Sequence, residues 1–335
     1  MILSGCEKGL MADYAKGFLV PASVVCVALA LCGGCQRYER AVGLYLDAAY
    51  YRELGQKDKA IERLNEAVRV DETFSFAYFL LGRIYEDLGR YDMSAACYRR
   101  VTELDPRSFG GLFGLGRTYE ILKEFAKAAD AYAKACEVDP NHLQAHLGAT
   151  RSSMKAEQYD RALTFGHRAE QIEPNATDVQ KLLGDVYQSR NDYDGAIRSY
   201  KRALEIDSND ADAMIGLAVA YIRSSRYEPA QGLLNTVLRT KSDSSVAHRH
   251  LGYCLLRLGQ TDGAIASYAK AVKLDEKDWE AHRGLGVAYM LKAFGGTDQS
   301  LAAKAVERWR VSLQIKPDQP SADVLRRLIE NYSGQ

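Results

Sequence analysis

Few residues in this chain could carry chemistry, and their spacing decides what each can do. His142 and His146 stand four apart. On a helix that puts both imidazoles on one face, within reach of a shared metal ion. His146, His248 and His282 nevertheless fall on one slot of a 34-residue period, a slot of bulky packing residues, which predicts structural histidines. The run Gly110-Gly111-Leu112-Phe113-Gly114-Leu115-Gly116 approaches a dinucleotide fingerprint. That motif needs a strand in front of it, and here it lies inside a helical repeat. No Gly-Lys-Ser/Thr phosphate loop occurs, and units this regular yield no Ser–His–Asp or paired-carboxylate constellation. Of seven cysteines, Cys6, Cys26, Cys32 and Cys35 crowd the N-terminus, while Cys97, Cys136 and Cys254 lie far apart. An odd, scattered set is no disulfide framework, and the last three read as small buried apolar residues. The expectation is a protein with no catalytic residues, no cofactor and no metal site.

The elements that must position everything else repeat every 34 residues. Gly82, Gly116, Gly184, Gly252 and Gly286 share one slot, Ala128, Ala162, Ala196, Ala230 and Ala264 a second, and Tyr85, Tyr119, Tyr187 and Tyr221 a third. A fixed period of this length means stacked units rather than one closed core. The units run 41–74, 75–108, 109–142, 143–176, 177–210, 211–244, 245–278 and a longer 279–319, with a capping helix over 320–335. Each unit carries two runs of apolar residues at three- and four-residue spacing, so two amphipathic helices are expected. Gly55, Gly89, Asn191 and Gly259 mark the left-handed residue that closes each first helix. The aromatic residues two positions later, each followed by an acid except Phe125, are expected to staple and N-cap the second. The Gly and Ala slots are small because helices cross there at close range. In 143–176 the large slots hold Ala149, Ser153 and Gly166, which reads as local repacking by Leu147 and Phe165 or, alternatively, as a soft joint. Seven extra residues around 293–299 lengthen a turn. Lys+Arg and Asp+Glu both number 44, and a zero formal charge argues against a nucleic-acid partner.

The pattern Leu112, Leu115-Gly116, Tyr119, Ala128, Tyr132, Ala135 and Pro140 resembles the tetratricopeptide repeat, and the resemblance covers 41–319. It implies an all-α, right-handed superhelical solenoid whose first helices line a concave face and bind protein partners as extended segments. By register the inward slots include Phe76, Phe79 and Arg83, then Phe113 and Arg117, Leu147 and Arg151, and Lys181 with Asp185. Arg83, Arg117 and Arg151 form a ladder beside an aromatic strip, which suits an acidic or C-terminal peptide. Glu86 and Glu120 sit three residues after Arg83 and Arg117 and offer them local ion pairs.

Residues 1–35 stand apart from the array. Gly17 to Gln36 carries no charge, Phe18 to Cys32 is almost wholly apolar, and Lys8 and Lys16 precede it, the layout of a secretory signal. Its end, Leu31-Cys32-Gly33-Gly34-Cys35, resembles the cleavage box of bacterial lipoproteins, with Cys32 where that family prefers Leu. The resemblance implies lipidation of Cys35, a short tether over 36–40, and membrane attachment on the periplasmic side of the outer membrane. A retained single-pass anchor or an ordinary secretion signal are the alternatives. The expected function is a membrane-tethered, extracytoplasmic scaffold or adaptor for envelope proteins. A recruiting subunit of an envelope enzyme, or a holdase, is the alternative.

Overall fold

The computed structural model describes residues 33–295 and 299–332. The described residues form seventeen helices and no strand. They are α1 (Gly33–Glu53), α2 (Lys57–Val70), α3 (Ser75–Asp87), α4 (Tyr91–Leu104), α5 (Phe109–Ile121), α6 (Phe125–Val138), α7 (Leu143–Lys155), α8 (Tyr159–Ile172) and α9 (Thr177–Ser189). There follow α10 (Tyr193–Ile206), α11 (Ala211–Arg223), α12 (Tyr227–Thr240), α13 (Ser245–Arg257), α14 (Thr261–Leu274), α15 (Trp279–Phe294), α16 (Gln299–Ile315) and α17 (Ala322–Tyr332). The expected helix pairs are all present. One compact unit ends at Gly148 and a second begins at Ala149, a division that falls within α7.

In both units the packing rests on one repeated device. The fully buried rings of Tyr98 and Tyr132 in the first unit, and of Tyr200 in the second, fill the space between two glycines. A Cβ added at Gly82 would lie 2.9 Å from the Tyr98 ring, and one at Gly114 2.7 Å from its other face. Gly116 and Gly148 flank Tyr132 at 2.8 and 2.6 Å in the same sense, and Gly184 and Gly216 flank Tyr200 at 2.7 and 2.5 Å. One glycine belongs to the ring's own repeat and the other to the next, so each ring seals two crossings at once. Where the ring is absent the glycines are absent too. Leu64 has Ala48 and Leu80 on those slots, and Leu234 has Ala218 and His250. Ala128, Ala162, Ala196, Ala230 and Ala264 are completely buried, as small residues at a close crossing must be.

Helix ends show where the period carries less information. Gly55, Gly89, Asn191 and Gly259 all take positive φ, as expected, but so do Lys123 (φ 61), Glu157 (φ 60) and Ser225 (φ 61) on the same slot. Their amides close the same turns: Lys123 N bonds Glu120 O at 3.1 Å and Glu124 N bonds Tyr119 O at 2.9 Å. A side chain in this region costs about 1–2 kcal/mol, which Gly avoids at some entropic expense. Lys123→Gly, Glu157→Gly and Ser225→Gly are each expected to stabilise by about 0.5–1 kcal/mol, read as a higher urea midpoint. A lower midpoint for any of them would show that the side chain is held by something beyond its backbone.

Several expectations need correction. The acids after the aromatic slot are not N-caps: α4, α8 and α10 begin on Tyr91, Tyr159 and Tyr193, so Asp92, Asp160 and Asp194 lie inside the first turn. They act there on the helix dipole. Side-chain caps belong mainly to the first helices, from Ser108, Asp210, Ser244 and Asp278. Residues 36–40 are not an extended tether, because α1 is already helical from Gly33. At Gly166 the lost packing is recovered by the next repeat, since Leu183 Cδ2 stands 2.6 Å from where a Cβ would be. The soft-joint expectation therefore loses its cavity, although Ser152 and Ser153 are buried with hydroxyls that find no acceptor. The late insertion extends α15 to 16 residues, against 13 in α13, and residues 296–298 lie outside the described ones. In the second unit α17 covers the last repeat through Leu325, packed with Met290 and Trp309. Ser321, just before α17, takes φ 69, and Val324 on α17 is exposed.

Candidate functional site

The candidate slots lie on the first helices α3, α5, α7 and α9, and several are less open than the sequence suggests. In the first unit Phe76 is 40% exposed on α3. Phe79 leans on Tyr98, with ring centroids 5.7 Å apart, and covers Gly110 of the next repeat. Phe113 stacks on Phe109 at 5.6 Å and meets Tyr132 at 5.6 Å and His142 at 5.3 Å. Leu147 is only 7% exposed. Of the four apolar candidates, Phe76 alone presents an exposed ring. Phe79 and Phe113 are drawn inward because Tyr98 and Tyr132 beneath them supply an aromatic wall.

The cations differ just as sharply. Arg83 is exposed and forms no hydrogen bond or ion pair among the described residues. Arg117 does not pair with Glu120, three residues on. It reaches back a whole repeat, to Glu86, through Nη2 at 2.6 Å and Nε at 3.2 Å. Glu86 is 9% exposed at its side chain and also accepts from Tyr98 Oη at 2.8 Å. Behind it Thr118 Oγ1 donates to Gly114 O at 2.8 Å and Ser94 Oγ to Gly82 O at 2.9 Å. The Glu86 bond holds the Arg117 guanidinium above its ordinary value, and burial followed by the Glu86 carboxylate raises Tyr98.

In the second unit Arg151 is half-buried. Lys181 is bound to Asp210 at 2.7 Å and Asp178 at 3.1 Å. Burial works against its charge, but the two carboxylates outweigh that and raise its pKa. Asp210 is itself the N-cap of α11, accepting from Ala213 N at 2.8 Å. Two repeats on, Arg249 meets the N-cap Asp278 at 3.1 Å in the same way. Lys181 is thus a strut between repeats rather than a groove cation. An opposite charge 29 residues downstream, in Lys181/Asp210 and again in Arg249/Asp278, was the sequence signal for it.

Among the described residues, the cysteines and the histidines of the bulky slot have surroundings that suit packing. Burial pushes the thiol of Cys97 up to about 11 and those of Cys136 and Cys254 to about 12, far from a nucleophile's range. His146, His248 and His282 each set Nε2 against a carbonyl six residues earlier, on Pro140, Ser242 and Glu276. Among the described residues no group of three or more His, Cys, Asp or Glu is placed to hold a metal ion.

His250 is a histidine displaced well below its ordinary value. Burial, with Arg249 and Arg223 nearby, lowers it to about 4 against a partial opposing pull from Asp278. The unfolded chain therefore takes up a proton near pH 6.5 that the fold refuses until about pH 4. Its contribution is intact above pH 6.5 and is lost as pH falls from there to about 4, at up to about 1.4 kcal/mol per pH unit. His250→Gln should flatten this part of the stability–pH curve relative to wild type. Parallel curves would mean that His250 titrates normally.

Models described as tetratricopeptide repeat match residues 45–106, 79–142 and 187–251, and a model described as TPR repeat matches 235–292. Together they span more than half of the chain. It is a tetratricopeptide-repeat protein. No curated protein matches its sequence. Among solved structures, the APC/C hetero-tetramer Cut9-Hcn1 matches with a TM-score of 0.56 at 15% identity, over 91% of this chain and 58% of that one. A tetratricopeptide repeat protein from Parabacteroides merdae ATCC 43184 matches with a TM-score of 0.53 at 17% identity, over 76% and 99%. YrrB, a TPR protein with an unusual peptide-binding site, matches at 0.45 and 21%, over 62% and 100%. At these identities the likeness speaks for the fold. None of the matches indicates a catalytic family. The tetratricopeptide fold is one that binds protein partners, so the surfaces above are those of an interaction scaffold.

Proposed function

We propose that this tetratricopeptide-repeat protein is a membrane-tethered, extracytoplasmic adaptor that holds an extended acidic segment of an envelope protein on its first-helix face. The observation that carries the binding half is on α3. There Arg83, an exposed cation with no counter-charge among the described residues, lies two turns from exposed Phe76 on the same helix face. A cation left unneutralised beside an exposed aromatic ring suits a carboxylate flanked by apolar residues. Of the ladder arginines, this favours Arg83 over Arg117, which is committed to Glu86. A photo-crosslinking side chain at Phe76 in cells should capture the partner, and Arg83→Glu should abolish the capture. Capture that survives Arg83→Glu counts against this surface.

The tether rests on the sequence. Residues 1–32 and the Cys35 side chain lie outside the described residues, and among the described ones no helix is long and apolar enough to cross a membrane. Gly33-Gly34-Cys35 closing an uncharged run supports lipidation, and Gln36 rather than Asp after it supports the outer membrane. Cys35→Ser is expected to end both palmitate incorporation and membrane fractionation. Unchanged processing and fractionation would leave a retained anchor or free secretion.

A further inference from the structure

The second helices of the second unit carry a charge pattern that stacking does not explain. The sixth, ninth, tenth and thirteenth residues of a second helix are three or four apart and share one face. Over α10, α12 and α14 those twelve positions hold six cations, Arg198, Lys201, Arg202, Arg239, Lys270 and Lys273, all exposed, and one acid, Glu205. The other five are Gly, Ala, Asn or Thr. Glu205 is paired with Arg202 at 2.8 Å. Among the described residues Arg198, Lys201, Lys270 and Lys273 form no hydrogen bond or ion pair, and Arg239 donates only to Thr236 Oγ1, at 3.2 Å. In the first unit the same twelve positions of α2, α4 and α6 hold four cations and five acids, so the excess is not a demand of the repeat. The other acids on the three helices and the turns after them stand at the helix ends. Asp194 and Asp262 are bound to Arg226 and Lys292, and the N-caps Asp210 and Asp278 to Lys181 and Arg249. Asp207 and Asp275 accept the turn amides of Asn209 and Lys277. Glu228, Asp243 and Glu276 are exposed, with Lys241 and Lys277 in the same turns as the last two. On the flanking helices, Glu170 of α8 is bound by Gln180 at 2.7 Å and His167 at 3.1 Å, and Glu307 of α16 faces Arg308 at 3.5 Å. The middle of the face is left basic.

We infer that this face of α10, α12 and α14 docks on an anionic phospholipid surface, whose phosphates meet the six cations. A headgroup layer presents many phosphates in no fixed register and needs no pocket, which suits cations spread over three successive helices. A protein partner would need an apolar or aromatic centre to anchor it. Among the described residues of these three helices the one exposed large apolar side chain is Leu274, at 37%, and it lies outside the twelve positions. Single-stranded nucleic acid stacks its bases on aromatic side chains, and none of the twelve is aromatic. The inference rests on the tethered reading for the presence of a bilayer, since attachment raises the effective concentration of headgroups around the chain.

The test adds the full chain to neutral phosphatidylcholine vesicles and to vesicles holding about 30% phosphatidylglycerol, and follows acetylation of individual lysines by mass spectrometry. Lys201, Lys270 and Lys273 are expected to react at least about fivefold more slowly on the anionic vesicles, with the difference lost in about 0.5 M salt. Lys59 and Lys134, on the charge-balanced second helices of the first unit, should react equally on both. Arg198→Glu combined with Arg239→Glu should remove the protection while leaving every reporter lysine in place. Both arginines are exposed, so the variant keeps the wild-type thermal midpoint. Equal rates on the two vesicles, or protection that survives the double substitution, overturns the inference. So does protection by duplex DNA or by polyglutamate, without vesicles, as strong as that on the anionic ones. Failure of the tether has a different signature: the chain then no longer floats with neutral vesicles, yet its salt-sensitive protection on anionic vesicles persists.

Discussion

Gly184→Ala is expected to destabilise the protein by about 1–3 kcal/mol, although it replaces a helix-weakening residue with the best helix former. The added methyl would stand 2.7 Å from the Tyr200 ring, which has little room to retreat because Gly216 closes its other side so tightly that a Cβ there would lie 2.5 Å away. Tyr200→Ala should cost about 3–5 kcal/mol, since it empties a completely filled site and strands Asp185, which accepts from Tyr200 Oη at 2.5 Å. The informative experiment combines two changes. In a Tyr200→Leu background, Gly184→Ala should become neutral or stabilising by up to about 1 kcal/mol, because Leu234 already coexists with Ala218 one repeat later. Urea denaturation of the four proteins gives the coupling directly. Additive effects would mean that ring and glycine do not share one space.

Arg117→Ala is expected to lower stability by about 1–3 kcal/mol, far more than the loss of an exposed i,i+3 pair. The side chain is half-exposed, but its partner Glu86 is not, and removal leaves a nearly buried carboxylate with only Tyr98 and a long contact to Thr118. Arg83→Ala, one repeat earlier on the same slot, should stay within about 0.5 kcal/mol of wild type. In a Glu86→Gln background the penalty for Arg117→Ala should fall by at least half, since a neutral amide tolerates its surroundings without a cation. A full penalty in that background would assign the effect to packing of the arginine stem. Partner affinity and stability must therefore be measured together for any groove arginine, because a binding defect at Arg117 can originate in folding.

What the sequence makes legible is whatever recurs in residue type at a fixed period. The helix pairs, the Gly and Ala crossings and the burial of Cys136 and Cys254 follow from that, whereas Cys97 is only half-buried, because size and polarity at a slot are properties of one residue. The site was less legible because it depends on pairs. Arg117 has Glu120 three residues away and Glu86 thirty-one away, and local spacing favours the first, while the Tyr98 hydroxyl and the depth of the crossing select the second. Lys181 looks like a groove cation until Asp210 is seen capping the next first helix within its reach. The left-handed residues Lys123, Glu157 and Ser225 were hidden for a different reason. Their backbone shape is imposed by the stacked helices on either side, and nothing in their composition announces it.

The ring shared between two glycines also constrains how such an array can change length during evolution. Duplication or loss of whole repeats by unequal recombination preserves the 34-residue phase wherever the break falls, but it does not preserve the match across the new junction. A repeat ending in Tyr132 tolerates only a successor with Gly on the facing slot. Excising 109–142 would bring Tyr98 up to Gly148, which keeps the fit, whereas excising 143–176 would drive Tyr132 into Leu182. Repeats of this protein therefore belong to two mating types, and the present order reads as a record of which junctions could be joined without a third, compensating substitution.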